Sequence, residues 1–203
     1  MKQIIEKLSL LVLFLGILSP TPVFSYTWTL YNGHYYTLTS SQKSWANCEA
    51  EAQTAVVDSF GIGSGLVGHL VTINDAAENQ WLYNNYILPD HADKYIGFND
   101  AATEGHWVWS SGTGGYWDYS TGTGTSYVAW ASGEPNNQSN EDVACIKWLG
   151  ESPPSNTWGD YVGSTTRFGI IEAAPIPLPA SIFLLGSGLM GLLGLGCRRR
   201  LKN

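Results

Sequence analysis

The sequence predicts an α+β domain held between two apolar ends, and three observations carry that prediction. Helical signals are confined to the early part of the central segment. Short β-type runs separated by long polar loops fill its later part. Two apolar, nearly charge-free stretches occupy the termini.

In chain order, Lys2 and Lys7 precede the apolar run Leu8–Leu18, which only Ser9 and Gly16 interrupt. Pro20 and Pro22 then break the helix before Val23-Phe24-Ser25. A basic start, a short apolar run and a small residue after it predict a secretory signal over residues 1–25, since the run is too short to span a bilayer. A body follows over residues 26–172. Ser44–Gln53 reads as a helix capped by Ser44, and Phe60–Gly65 as a flexible glycine-rich loop. Leu66–Ile73 reads as a strand. Asp75 with Glu78 resembles a helix cap and its partner three residues on, opening a helix through Tyr86. Strands are expected at Tyr95–Phe98, Trp107–Trp109, Val143–Trp148 and Phe168–Ile171. The Gly/Ser/Thr-rich stretch Ser110–Ser126 is expected to be an ordered loop anchored by Tyr116, Trp117 and Tyr119. In residues 173–203, Ala180–Cys197 is uncharged and long enough to cross a bilayer, at about 27 Å as a helix. Its five glycines make it a poor helix in water. Arg198-Arg199-Arg200 places this end on the cytoplasmic side and the body outside.

Charge narrows the function. Of 17 acidic residues all but Glu6 lie in the body, against four basic ones (Lys43, Lys94, Lys147, Arg167), so the body is strongly acidic. Such a surface repels a phosphate backbone and excludes nucleic acid as a partner. Nine Trp, all in the body, exclude a disordered chain.

Six motifs in order then carry a family resemblance: His69-Leu70-Val71-Thr72-Ile73, Ile96-Gly97-Phe98-Asn99-Asp100, Glu104-Gly105-His106-Trp107, Trp130 with Glu134-Pro135-Asn136, Glu141-Asp142, and Trp158-Gly159-Asp160. Their order and spacing resemble a C-type lectin domain across the whole body. The tail, with Pro177-Leu178-Pro179-Ala180, an apolar run and an Arg cluster, resembles a PEP-CTERM sorting signal of the Pro-Leu-Pro-Ala type. That second resemblance implies a Gram-negative, exopolysaccharide-producing bacterium. It also implies exosortase as a processing partner and the inner membrane as a temporary anchor, followed by the cell surface or extracellular matrix.

The oxygen-rich loops suit Ca²⁺, which takes six to eight hard oxygen ligands. With few basic residues to pair them, clustered carboxylates repel unless a cation bridges them; the plainer alternative is a solvated acidic surface. The resemblance implies two ligand sets. Glu134, Asn136, Glu141 and Asp160 would hold one Ca²⁺ and two sugar hydroxyls, with Pro135 cis and with the mannose- or glucose-type version of the motif. Asp100, Glu104, Asn137, Glu141 and Asp142 would hold an auxiliary ion. Gly159 stands where the family has an Asn ligand, which weakens the first set. By the same resemblance the usual cysteine positions fall on Ala52, Ile171 and Val143, so an apolar pair replaces one disulfide. Cys48 and Cys145 are expected to be buried free thiols. The four His lack zinc spacing, and Trp107, Trp109, Trp130 and Trp158 are expected in the core.

These readings point to an exported, surface-tethered, Ca²⁺-dependent lectin for exopolysaccharide or another glycan. The rival is a structural or adhesion module of the same fold that binds protein or matrix. No nucleophile elbow, zinc signature or phosphate loop is present, so catalysis is rejected.

Overall fold

A computed structural model describes residues 26–55, 57, 68–147 and 156–173. The expected signal peptide, the Phe60–Gly65 loop, the start of the Leu66–Ile73 strand, Trp148 and residues 174–203 of the C-terminal tail lie outside the described residues. Among the described residues, no helix is long and apolar enough to cross a membrane.

The described elements are strands β1 (Thr29–Tyr31) and β2 (His34–Leu38), helix α1 (Trp45–Ala52), strand β3 (Gly68–Leu70) and helix α2 (Ala76–Leu82). Strands β4 (Lys94–Asn99), β5 (His106–Trp109), β6 (Tyr116–Asp118), β7 (Thr123–Gly124), β8 (Val143–Ile146), β9 (Trp158–Tyr161) and β10 (Phe168–Ala173) follow. The main strand path is β1-β2-β10-β4-β5-β6-β7. Strand β3 pairs with β10, and β8 joins β4 to β9. The last strand therefore closes the domain, running antiparallel to β2 and parallel to β4. That arrangement ties the two ends of the body together and leaves the segment between β5 and β8 free to build the loops.

Both helices stand where the sequence places them, with differences in detail. Ser44 caps α1 by position, but its side chain makes no capping hydrogen bond. Asp75 accepts a hydrogen bond from the Glu78 N–H, as a cap should. The Glu78 carboxylate does not reach back to the cap. It turns inward instead, accepting from the Tyr36 hydroxyl at 2.7 Å and the Asn74 N–H at 2.8 Å. Helix α2 then widens into a π-helical turn over Tyr83–Ile87 before it ends. The Ser110–Ser126 stretch is more regular than a loop, since β6 and β7 form a short hairpin there. Of its three aromatic residues only Trp117 packs on the core, while Tyr116 and Tyr119 are exposed.

The main core is aromatic. Phe98, Trp107, Trp109, Trp130 and Trp158 interlock at ring-centroid distances of 4.4–5.9 Å, several of them edge to face. Of the four tryptophans expected in the core, Trp107, Trp109 and Trp158 are buried there, and Trp130 is half-buried and packs against them. Gly97 on β4 lies so close to the backbone of β3 that an added Cβ would stand 2.6 Å from the Leu70 carbonyl oxygen. Ala52 and Ile171 pack together, and Cys48 and Cys145 are buried, unbridged and part of one cluster. Burial pushes both thiols up, which leaves them protonated.

Burial, reinforced by the nearby Glu172 charge, raises Glu78 above the ordinary carboxylate range although its hydrogen bonds pull the other way. The folded chain thus holds this proton more tightly than the unfolded chain. Its contribution is complete below the unfolded value, about 4.3, and is lost as pH rises through the raised folded value. Urea unfolding across this window is expected to show wild-type stability falling with pH more steeply than in Glu78→Gln.

Candidate functional site

The functional loops gather around strand β9. On one side it pairs with β8, which sets Ala144 opposite Asp160 and Cys145 opposite Gly159. On its other side runs Ala129–Ala131. The Trp158 N–H donates to the Ala129 carbonyl at 2.7 Å, and the Ala131 N–H to the Trp158 carbonyl at 2.8 Å. A turn closed by the Glu134 N–H on the Ala131 carbonyl then delivers Glu134, and the Glu134–Pro135 peptide bond is cis.

Asp160 organises the loop that follows. Buried at the edge of the sheet, it accepts from the Asn136 N–H at 3.1 Å on Oδ1 and from the Asn137 N–H at 2.7 Å on Oδ2. Beyond it the chain turns tightly, with left-handed backbone at Asn137, Ser139 and Asn140. The Asn137 side-chain carbonyl accepts from the Glu141 N–H, and the Gln138 N–H is shared between Asn136 Oδ1 and Glu141 Oε2. Glu134, Asn136, Glu141 and Asp160 are thereby brought onto one rim, as the sequence predicts.

At this rim the Glu134 carboxylate is engaged from within the chain. The Lys147 ammonium pairs with Glu134, and the Asn136 amide donates to the other Glu134 oxygen at 2.6 Å. Burial raises Glu134, the Asp160 carboxyl raises it further, and Lys147 opposes both. Glu141 is likewise raised, first by burial and then by the Asp160 charge. Among the described residues, no group of three or more His, Cys, Asp or Glu side chains is placed to hold a metal ion. The sequence shows no basic residue next to Glu134, but the β8–β9 ladder brings Lys147 to it from 13 positions away.

The second set divides. Glu141 sits electrostatically with Glu134 and Asp160, whereas Asp142 and Glu104 act on Asp100. Asp100 is 2% exposed, and burial with these two charges pushes its carboxyl up to about 6. Its Oδ2 accepts from the Gly105 N–H at 2.8 Å, and its Oδ1 is buried with no hydrogen-bond partner. A buried carboxylate oxygen with no donor is a position a cation would satisfy. Asp142 is held by the Asn140 side-chain amide at 2.9–3.0 Å.

Between the two sets opens a cleft of about 560 Å³, lined among others by Asp100, Glu104, Trp107, Tyr119, Asn137 and Asp160. Its exposed aromatic residue is Tyr119. Tyr119, 59% exposed, read as a loop anchor. His106, which belongs to the Glu104–Trp107 motif, and Asp118, which belongs to none, also line the cleft, and their mutual contact at 2.6 Å arises only from the β5–β6 pairing.

No family model matches the chain. It is 28% identical over 140 residues to an α-N-acetylgalactosamine-specific lectin of Patiria pectinifera, covering 68% of this chain and 72% of that protein. It is also 32% identical over 138 residues to halomucin of Haloquadratum walsbyi, a match that takes in 66% of this chain but spans only 1% of halomucin. The fold is similar to that of the C-type lectin CEL-I from Cucumaria echinata, with a TM-score of 0.57, 19% identity and coverage of 77% of this chain and all of that one. The Patiria pectinifera protein and CEL-I are both named as lectins, in agreement with the rejection of catalysis from the sequence. The body of this chain has the C-type lectin-like fold, with two helices, a many-stranded sheet and its loop rim around β9.

Proposed function

We propose that the domain binds carbohydrate, of the mannose or glucose type or as exopolysaccharide, at the cleft beside β9. The observation that carries this reading is the cleft that Asn136 and Asp160 line together with the exposed Tyr119, with Glu134 and Glu141 hydrogen-bonded into the same loop beside it. Carboxylates and amides give charge-assisted hydrogen bonds to vicinal hydroxyls, and an aromatic face packs on a sugar ring. The named specificity of the Patiria pectinifera lectin supports the ligand class, though not the particular sugar.

Calcium in this reading belongs with Asp100, Glu104, Asn137 and Asp142, where the unpartnered Asp100 oxygen supports a loop-stabilising ion. The termini support export through residues 1–25, a membrane helix near 180–197 and exosortase processing that leaves the domain at the cell surface. The structural or adhesion alternative gains from one observation, the engagement of Glu134 by Lys147.

The protein is expected to be retained on immobilised mannan and released by free mannose, with Asn136→Ala lowering retention at least tenfold. Retention on neither mannan nor a glucan column, or no effect of Asn136→Ala, would favour the adhesion module.

A further inference from the structure

Three carboxylates, Glu134, Glu141 and Asp160, interact at one rim, and such a cluster needs a positive charge near it. The molecule supplies one from its own chain. Lys147 and Glu134 form an ion pair with both side chains largely withdrawn from water, at 12% and 11% exposure. The Lys147 N–H donates to the Thr157 carbonyl at 2.9 Å, extending the β8–β9 ladder so that Lys147 is diagonal to Gly159. Its ammonium also lies 5.4 Å from the centre of the Tyr161 ring.

Gly159 is what lets the lysine in. A Cβ built on residue 159 would fall on the Lys147 Cε and Nζ and within 2.9 Å of its Cδ. Any side chain at 159 would compete with the lysine for one volume. The missing Asn ligand and the unexpected ammonium are therefore two sides of a single exchange. The neighbouring groups are committed in the same sense. Both Asp160 oxygens accept backbone N–H groups, the Asn136 amide donates to Glu134, and Asn136 Oδ1 accepts from Gln138. A divalent ion among Glu134, Asn136 and Asp160 would sit against a fixed positive charge in a partly desolvated rim, where repulsion is poorly screened.

We infer that Lys147, admitted by Gly159, is the resident cation of this rim and excludes Ca²⁺ from it. Ligands bound at the rim then meet an ammonium–carboxylate pair rather than a metal ion. The claim concerns the ion alone and stands whether or not the ligand is a sugar.

Calorimetric titration of the full chain with calcium chloride alone tests it. Wild type and Glu134→Gln are expected to bind the same number of ions per chain. The double variant Lys147→Met/Gly159→Asn is expected to gain one ion, and adding Glu134→Gln to it should remove that ion again. An ion in wild type that Glu134→Gln abolishes would overturn the inference, as would a folded double variant that gains none. Should the double variant fail to fold, the wild-type comparison with Glu134→Gln decides by itself. Loss of mannan retention with these ion counts as expected would sink the carbohydrate reading and leave this one standing.

Discussion

Trp158→Ala is expected to destabilise the domain by about 3–5 kcal/mol, read as a lowered urea midpoint with an unchanged slope. Trp158 is fully buried and meets Phe98, Trp109, Tyr127 and Trp130 edge to face or tilted. Its indole N–H donates to the buried Asn79 carbonyl at 2.8 Å, so truncation opens a cavity and also leaves a buried acceptor alone. The backbone of the same residue carries two hydrogen bonds to Ala129–Ala131, so the loss should spread to the rim. Trp158→Phe keeps most of the volume and is expected to cost less than half as much. Equal effects of the two changes would show that packing around the indole is not what holds this layer.

Asp160→Ala is expected to have the largest effect on binding, lowering mannan retention more than tenfold. It should also destabilise the fold by about 3 kcal/mol, in the range of two hydrogen bonds to a buried charge. The change strips the Asn136 and Asn137 N–H groups of their acceptor and frees the turn that presents Asn136 and Glu141. Asp160→Asn keeps one acceptor oxygen and is expected to fall between wild type and Ala on both readouts. Hydrogen exchange supplies an independent check. Faster exchange at 136 and 137 in Asp160→Ala, with β4 and β10 protected as before, would localise the effect to the loop, whereas uniform loss of protection would contradict it.

Much of the fold was legible because the informative residues act locally. Asp75 caps a helix from sequence alone, since a cap needs only its own N–H neighbours. Strands β4, β5, β8 and β10 announce themselves as compact apolar runs. The pairs β1–β2 and β6–β7 were missed, for these short Tyr-, Thr- and Gly-bearing strands have no apolar alternation to read, although β2 buries Tyr36 and Thr37. Glu78 supplies the N–H that Asp75 caps, as the sequence predicts, but the place of its carboxylate was not legible, because one of its partners, the Tyr36 hydroxyl, lies 42 positions away.

The sequence by itself determined the acidic character of the body, the aromatic core and the ordered motifs that point to a C-type lectin-like fold. It also identified Glu134, Asn136, Glu141 and Asp160 as residues of one rim. Only the tertiary structure decided what neutralises that rim. Which cation reaches a carboxylate depends on the register of β8 against β9 and on the space above Gly159, and neither is a local property of the chain. A glycine that reads in sequence as a lost ligand is, in the fold, the opening through which Lys147 reaches Glu134.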